Sequence, residues 1–268
     1  MTRVYLIRVG MDSAYGGFVA PYFVEDKNVL YIPVFSENVG KNSILESYDK
    51  TVTNYPNINL MNYFPKDKIE DSNYEYNLNE IKAHHDPEFK SNTYGENKGN
   101  SPHEKKGKNM FSKLKYFKEN DYALFYGSFF PCNINFKYKN LSLLELRNKQ
   151  RNNLQFYIFA FLKLKYPPIT KENYKENYND IEDNVHVKIK DFENKKKDIF
   201  VLKGKEGGFL PNPIRIDNGE IKGSTYQMND FLFKYKLKKN EDKRGINKCY
   251  CELKSSILPH ILKNRLTP

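Results

Sequence analysis

Seven consecutive apolar residues, Phe156-Tyr-Ile-Phe-Ala-Phe-Leu162, constrain the fold more than any other stretch of this chain. A half-exposed strand alternates apolar and polar positions. This run has no polar break, so it suits a strand at the centre of a sheet, with a buried helix as the alternative that periodicity leaves open. Shorter apolar runs surround it: Val4 to Ile7, Val29 to Val34 with Pro33 confining it to an edge, Tyr122 to Tyr126, and Ile199 to Leu202. Gly127 and Pro131 are expected to end the third of these, and Lys203 to Gly208 reads as a turn after the fourth. Val185-His-Val-Lys-Ile189 alternates as a strand should, which places His186 on the face opposite the two valines. Helical signals are few: a short segment near Ile44 to Tyr48, a helix or turn within Phe111 to Lys118, and a basic stretch from Phe231 to Leu262 with Pro259 breaking its end. The expectation is an α+β fold, a curved or barrel-like mixed β-sheet with peripheral helices. No Pro/Ser-rich linker separates two apolar halves, so residues 1–268 are expected to form a single domain.

Lysine plus arginine number 44 against 33 acidic residues, a formal net charge of +11. Such a surface favours polyanions, with nucleic acid or a nucleotide as the expected partner, although a merely solvated basic surface has the same composition. No run approaches the roughly 18 apolar residues of a membrane span, and the N-terminus lacks a signal peptide's charged and apolar regions, so a cytoplasmic protein without membrane contact is expected. Cys132, Cys249 and Cys251 form neither a disulfide framework nor a zinc spacing. A phosphate-binding P-loop, a dinucleotide fingerprint, a Gly-x-Ser-x-Gly elbow and a kinase signature set are all missing. The sequence names no cofactor and no oligomeric state.

Two segments carry chemistry. Arg8-Val-Gly-Met-Asp-Ser-Ala-Tyr-Gly-Gly17 follows the first strand and supplies a cation (Arg8), a carboxylate (Asp12) and two hydroxyls (Ser13 and Tyr15), while Gly16 and Gly17 let backbone approach a ligand closely. The alternative is a plain glycine-rich connection closed by an Asx turn. His84, His85, Asp86 and Glu88 combine imidazoles that titrate near neutral pH with carboxylates that can orient them. Pro87 fixes the backbone there, so alternate side chains diverge and His85 stands on a face without its neighbours. This segment alone therefore makes no closed zinc site, and a metal would need ligands from elsewhere, such as Asp12 or His186. Arg215, like Arg8, adjoins a strand and a glycine loop, and arginine suits a bidentate grip on phosphate or a base edge as well as ordinary ion pairing.

Taken together, Arg8-x-Gly-x-Asp-Ser-x-x-Gly-Gly17 with Pro21, His85-x-Pro87 with Asp86 and Glu88, and Thr93-Tyr-Gly95 resemble the third family of nucleotide modification associated domains. Asn120-Asp-Tyr-Ala-Leu-Phe-Tyr126, Tyr157 to Phe161, Asn184-Val-His186, Val201 to Gly204 and Pro213 to Ile216 are similar to later segments of that family. Asn120 stands where the family usually has glycine, and the pair His84 and His85 is richer in histidine than its usual pattern. The resemblance implies a prokaryotic or viral protein associated with modified nucleic-acid bases. It supports an enzyme, or enzyme-like component, of nucleotide or base modification, with Asp12, His85, Asp86 and His186 in catalytic roles. Arg8, Ser13, Tyr15, Gly16, Gly17, Glu88, Tyr94 and Arg215 would then bind substrate. The rival is a non-catalytic reader of modified bases in which Tyr15, Tyr94 and Tyr126 stack on a flipped base.

Overall fold

The central apolar run is a strand. In the computed structural model of the protein it lies within Gln155–Leu164, hydrogen-bonded to strands on both sides. The structure describes residues 2–10, 17–35, 45–48, 51, 53–55, 57–66, 69–71, 74–76, 82–97, 114, 116–193, 199–223, 225–237, 245–246 and 250–263.

The strands are β1 (Val4–Arg8), β2 (Ala20–Phe23), β3 (Asn28–Val29), β4 (Val34–Phe35), β5 (Ile69–Asp71), β6 (Tyr74–Tyr76), β7 (Ala83–His84) and β8 (Thr93–Asn97). They continue with β9 (Tyr122–Cys132), β10 (Gln155–Leu164), β11 (Ile169–Thr170), β12 (Ile199–Arg215), β13 (Asp217–Lys222), β14 (Thr225–Met228) and β15 (Tyr250–Leu253). The helices are α1 (Leu143–Gln150), α2 (Tyr178–Ile181), α3 (Val185–Lys188), α4 (Asp230–Tyr235) and α5 (Leu258–Lys263). A mixed sheet of 9 strands runs β11-β12-β10-β9-β1-β15, with β2 and β3 beside β9 and β8 beside β12. β1 and β2 run parallel to β9, and the other pairs are antiparallel. The path does not close into a barrel among the described residues. No helix among them is long and apolar enough to cross a membrane.

Both faces of this sheet are covered, which is why its inner strands read as unbroken apolar runs. Tyr5, Ile7, Ala123, Phe125, Tyr157 and Phe159 enter one core, while Val4, Leu6, Leu124, Tyr126, Phe156 and Ile158 enter the other. The register shift between Ile158 and Ala160 exchanges the two faces, so Ala160 and Leu162 join the first core and Phe161 the second.

Several expected boundaries are corrected. β9 continues through Gly127 and Pro131. β10 pairs with β9 only as far as Phe129, so beyond it one side of β9 is open and a residue without an N–H is tolerated. The expected turn at Lys203–Gly208 is the middle of the long strand β12. Its glycines serve close approach instead: a Cβ at Gly204 or Gly207 would come within 2.9 or 2.4 Å of the Leu162 side chain. Val185–Lys188 is a helical turn and not a strand, capped by the Asn184 side chain, which accepts from His186 N. Leu45–Tyr48 form no helix, and Ser47 bridges Lys82 instead; Ile44 lies outside the described residues. Val29–Val34 is divided between β3 and β4, with the Asn54 side chain bonding Tyr31 N at 3.0 Å and Val29 O at 2.6 Å where a strand partner would stand. The C-terminal stretch is two short helices around β15, and Pro259 sits in the first turn of α5 instead of ending it. Asn120 has a φ of 67°, the left-handed region that glycine and asparagine tolerate best.

Candidate functional site

Residues 83–97 form a compact hairpin against the sheet. Its arms are locked by Glu88 N to Thr93 O at 2.8 Å and Thr93 N to Glu88 O at 2.9 Å, and the turn between them uses Asn92 at a φ of 52°. β7 pairs with β4, and β8 pairs with β12, so the hairpin is held at both ends. Side chains of its first arm diverge as the sequence predicts. His84 and Asp86 face α3, while His85 lines a cleft on another side.

On the α3 side, His84, Asp86 and His186 bring one imidazole nitrogen each and a carboxylate oxygen within 4.8 Å of one another. His186 Nε2 is 3.4 Å from Asp86 Oδ2, and the His84 and His186 rings meet edge to face with centroids 5.1 Å apart. Asp86 Oδ1 accepts the Gly95 N–H at 2.7 Å. Asn184 caps α3 through His186 N at 3.0 Å and donates its amide to Thr93 Oγ1 at 3.2 Å. Both Thr93 and Asn184 are completely buried. Burial pushes the Asp86 carboxyl above its ordinary range, against the opposite pull of His186, the Gly95 N–H and Asn184. Gly95 is required by space, since a Cβ there would lie 2.2 Å from His186 Cδ2.

On the other side is a cleft of about 110 Å³ containing His85, Glu46, Glu88, Tyr31, Phe89 and Phe209. Phe89 and Phe209 are 4.3 Å apart by ring centroid, and Tyr31 lies 5.8 and 5.9 Å from them. The Tyr31 hydroxyl and His85 Nε2 are buried and have no hydrogen-bond partner among the described residues. Glu46 Oε2 is 3.8 Å from His85 Nε2, too long for a hydrogen bond. Burial lowers the His85 pKa, with Lys90 and Lys188 acting in the same direction and Glu46 opposing them. Burial, then the charge of Asp86, raises the Tyr31 phenol, so it is a proton donor at neutral pH. Glu88 Oε1 accepts the Lys90 N–H at 2.9 Å, closing the hairpin turn as well as lining the cleft.

The strands that flank the glycine-rich segment, β1 and β2, both pair with β9 and not with each other. β1 runs beside Tyr122–Tyr126 of β9 and β2 beside Phe129–Cys132, so Arg8 and Ala20 stand on β9 with only Gly127 and Ser128 between their partners. Asp12, Ser13, Tyr15 and Gly16 lie outside the described residues. The stem at Gly10 abuts the cleft: a Cβ there would stand 3.2 Å from the Tyr31 ring. The stem at Gly17 is tied to α1, with Arg147 Nε donating to Gly17 O at 2.8 Å.

Other expected residues are engaged elsewhere. Arg8 Nη2 is 3.4 Å from Ser128 Oγ, and its guanidinium lies over the Phe156 ring at 5.7 Å. Arg215 grips the buried Asp217 through Nη2 at 2.8 Å and Nε at 3.2 Å, the ion pairing that the sequence offered beside a substrate grip. The same carboxylate accepts Phe156 N and Gly219 N, so this pair fastens β10 to the turn after β12. Tyr94 is buried against Phe125 and donates to Glu96 at 2.6 Å, and Tyr126 is buried in the opposite core. They do not form a stacking cage. The side chains of His85 and Asp86 are directed apart, and Asp86 meets His186. Tyr31, Glu46, Phe89, Lys90, Gly95, Asn184 and Phe209 are site components that sequence reasoning did not single out. Of these only Asn184, preceding an apolar turn, carries a legible signal, that of an N-cap.

The family model for nucleotide modification associated domain 3 matches residues 3–256, a span that contains both sides of the 83–97 hairpin. No curated protein and no solved structure matches the chain.

Proposed function

The chain belongs to the nucleotide modification associated domain 3 family, and on that premise we propose that it is an enzyme modifying a nucleotide or nucleic-acid base held in the Tyr31–His85 cleft. The observation that carries this reading is the buried Tyr31 hydroxyl and His85 Nε2, both without a partner among the described residues, in a cleft walled by Phe89 and Phe209. Leaving such groups unpaired costs about 1–3 kcal/mol each, a cost that a ligand bonding to them would remove. The cleft is of the order of the ~150 Å³ cavities that take a single benzene ring, so it suits one heterocycle and not a whole nucleotide.

In this reading Phe89 and Phe209, packed on each other, give the base an apolar wall, Tyr31 donates to its edge, and His85 moves the proton. Its lowered pKa keeps the imidazole neutral at pH 7, which is the form a general base requires. Lys90 at the rim offers a cation to phosphate. Gly10, at the start of the glycine-rich segment, abuts the Tyr31 ring beside the cleft. Residues 1–268 are taken as one nucleotide-modification domain, in line with the breadth of the family match. The reader alternative draws less support, since Tyr94 and Tyr126 are committed to the cores, whereas imidazole and carboxylates converge beside the aromatic walls.

The test is to incubate the protein with free nucleotides and with DNA and RNA oligonucleotides, supplying a small-molecule cell extract as donor pool, and to weigh the nucleosides afterwards. A mass change that falls by about 100-fold or more in His85→Ala, the range typical of losing an acid/base group, is expected. Tight binding without any mass change would assign the cleft to a reader, and neither binding nor change would overturn the proposal.

A further inference from the structure

The geometry points to a second, separate site: His84, Asp86 and His186 bind one first-row divalent transition metal ion, such as Zn²⁺ or Fe²⁺, on the α3 side of the hairpin. The inference does not rest on the proposed reaction, because it uses none of the groups that line the Tyr31–His85 cleft.

Three features carry it. The donor atoms converge within 4.8 Å. Ligands held about 2.1 Å from a tetrahedral ion stand about 3.4 Å apart, so the widest spacing must close by about 1.4 Å, and the His186–Asp86 spacing of 3.4 Å already matches. Next, the surroundings are those of an oriented ligand set. Asp86 Oδ1 is fixed by the Gly95 N–H, and Asn184 locks both the start of α3 and Thr93, so the carboxylate and one imidazole are positioned before any ion arrives. Finally, the donors come from two separate segments, the hairpin and α3, which no local turn requires to meet. A bound ion would cross-link them.

Donor chemistry narrows the ion. Two imidazoles with one carboxylate suit zinc, iron, cobalt or nickel, whereas magnesium and calcium prefer all-oxygen sets and copper(I) prefers sulfur. Three protein ligands leave at least one coordination position for water or substrate.

The test uses the full chain, stripped with a chelator and dialysed against Zn²⁺ or Co²⁺, with metal measured by elemental analysis and Co²⁺ by its visible absorption. One equivalent per chain is expected, with a cobalt spectrum of nitrogen and oxygen ligation. His84→Ala should weaken binding by more than the 10–100-fold typical of outer-shell changes. His186→Ala should do the same, but its ring packs on Gly95, so His84→Ala, at a half-buried position, is the variant that keeps the test decisive if the other misfolds. His85→Ala should retain full uptake, which separates this site from the cleft. No stoichiometric uptake by the wild type, or unchanged uptake in His84→Ala, overturns the inference. Intact uptake with no nucleotide chemistry would overturn only the proposed function.

Discussion

Gly95 shows how much a single residue decides here. Its N–H holds Asp86, and its missing side chain leaves the room that the His186 ring occupies. Gly95→Ala would place a Cβ 2.2 Å from His186 Cδ2, so either the ring or β8 must move. Overpacking of this kind costs about 1–3 kcal/mol. The expected outcome is a lower urea midpoint together with weakened Zn²⁺ uptake in equilibrium dialysis, and a variant identical to wild type in both would show that His186 is not held where the structure places it. Little of this was legible beforehand. The residue types at 84–88 announce a site, and the alternation around Pro87 correctly sets His85 apart. Yet Val185-His-Val-Lys-Ile189 fits a strand and a helical turn equally well, and only the Asn184 side chain, accepting from His186 N, decides for the helix. Tyr31 has no signal at all, because a buried tyrosine in an apolar run looks the same whether its hydroxyl is satisfied or not.

At the scale of elements, α1 governs the far stem of the glycine-rich segment. Its start is a capping box in which Ser142 and Glu145 satisfy each other's backbone N–H. At its end the Gln150 amide bonds both Val19 N and Val19 O at 3.0 Å, standing in for a strand neighbour, while Arg147 holds Gly17. Ser142→Ala removes an exposed cap and should cost about 1 kcal/mol. Gln150→Leu leaves a buried donor and a buried acceptor unmade and should cost more, about 2 kcal/mol or above. Urea titration of the two variants checks the ranking, and a milder effect at Gln150 would mean that Val19 finds water or another partner. α1 was not among the expected helices, although Ser142-x-x-Glu145 before Leu146 is a helix-start pattern. The long strands were harder. Glycine at 204, 207 and 208 reads as turn chemistry, but two of the three serve the close approach of Leu162 from a neighbouring strand, a partner some 40 residues away that local pattern does not reveal.

For the whole molecule, the sheet buried on both faces explains why so many aromatic residues serve the two cores, and the charge of +11 lies on what remains outside. A cleft sized for one ring admits a base from a free nucleotide or from an unpaired strand, whereas a base stacked in a duplex must first be turned out. These substrates differ in how much of the surface charge they use. On the proposed reading a mononucleotide would engage the rim near Lys90 alone. A single strand would also lay neighbouring phosphates along the basic surface, and each phosphate neutralised would add about −0.7 to the slope of log affinity against log salt. Fluorescence anisotropy of a labelled single-stranded oligonucleotide, titrated between about 50 and 200 mM salt, should therefore give a slope several times that of a labelled mononucleotide. Equal slopes would confine recognition to the cleft and make a free nucleotide the substrate. A steep slope that persists in Tyr31→Phe and His85→Ala, with affinity nearly unchanged, would place the strand on the basic surface and leave the cleft to select the base.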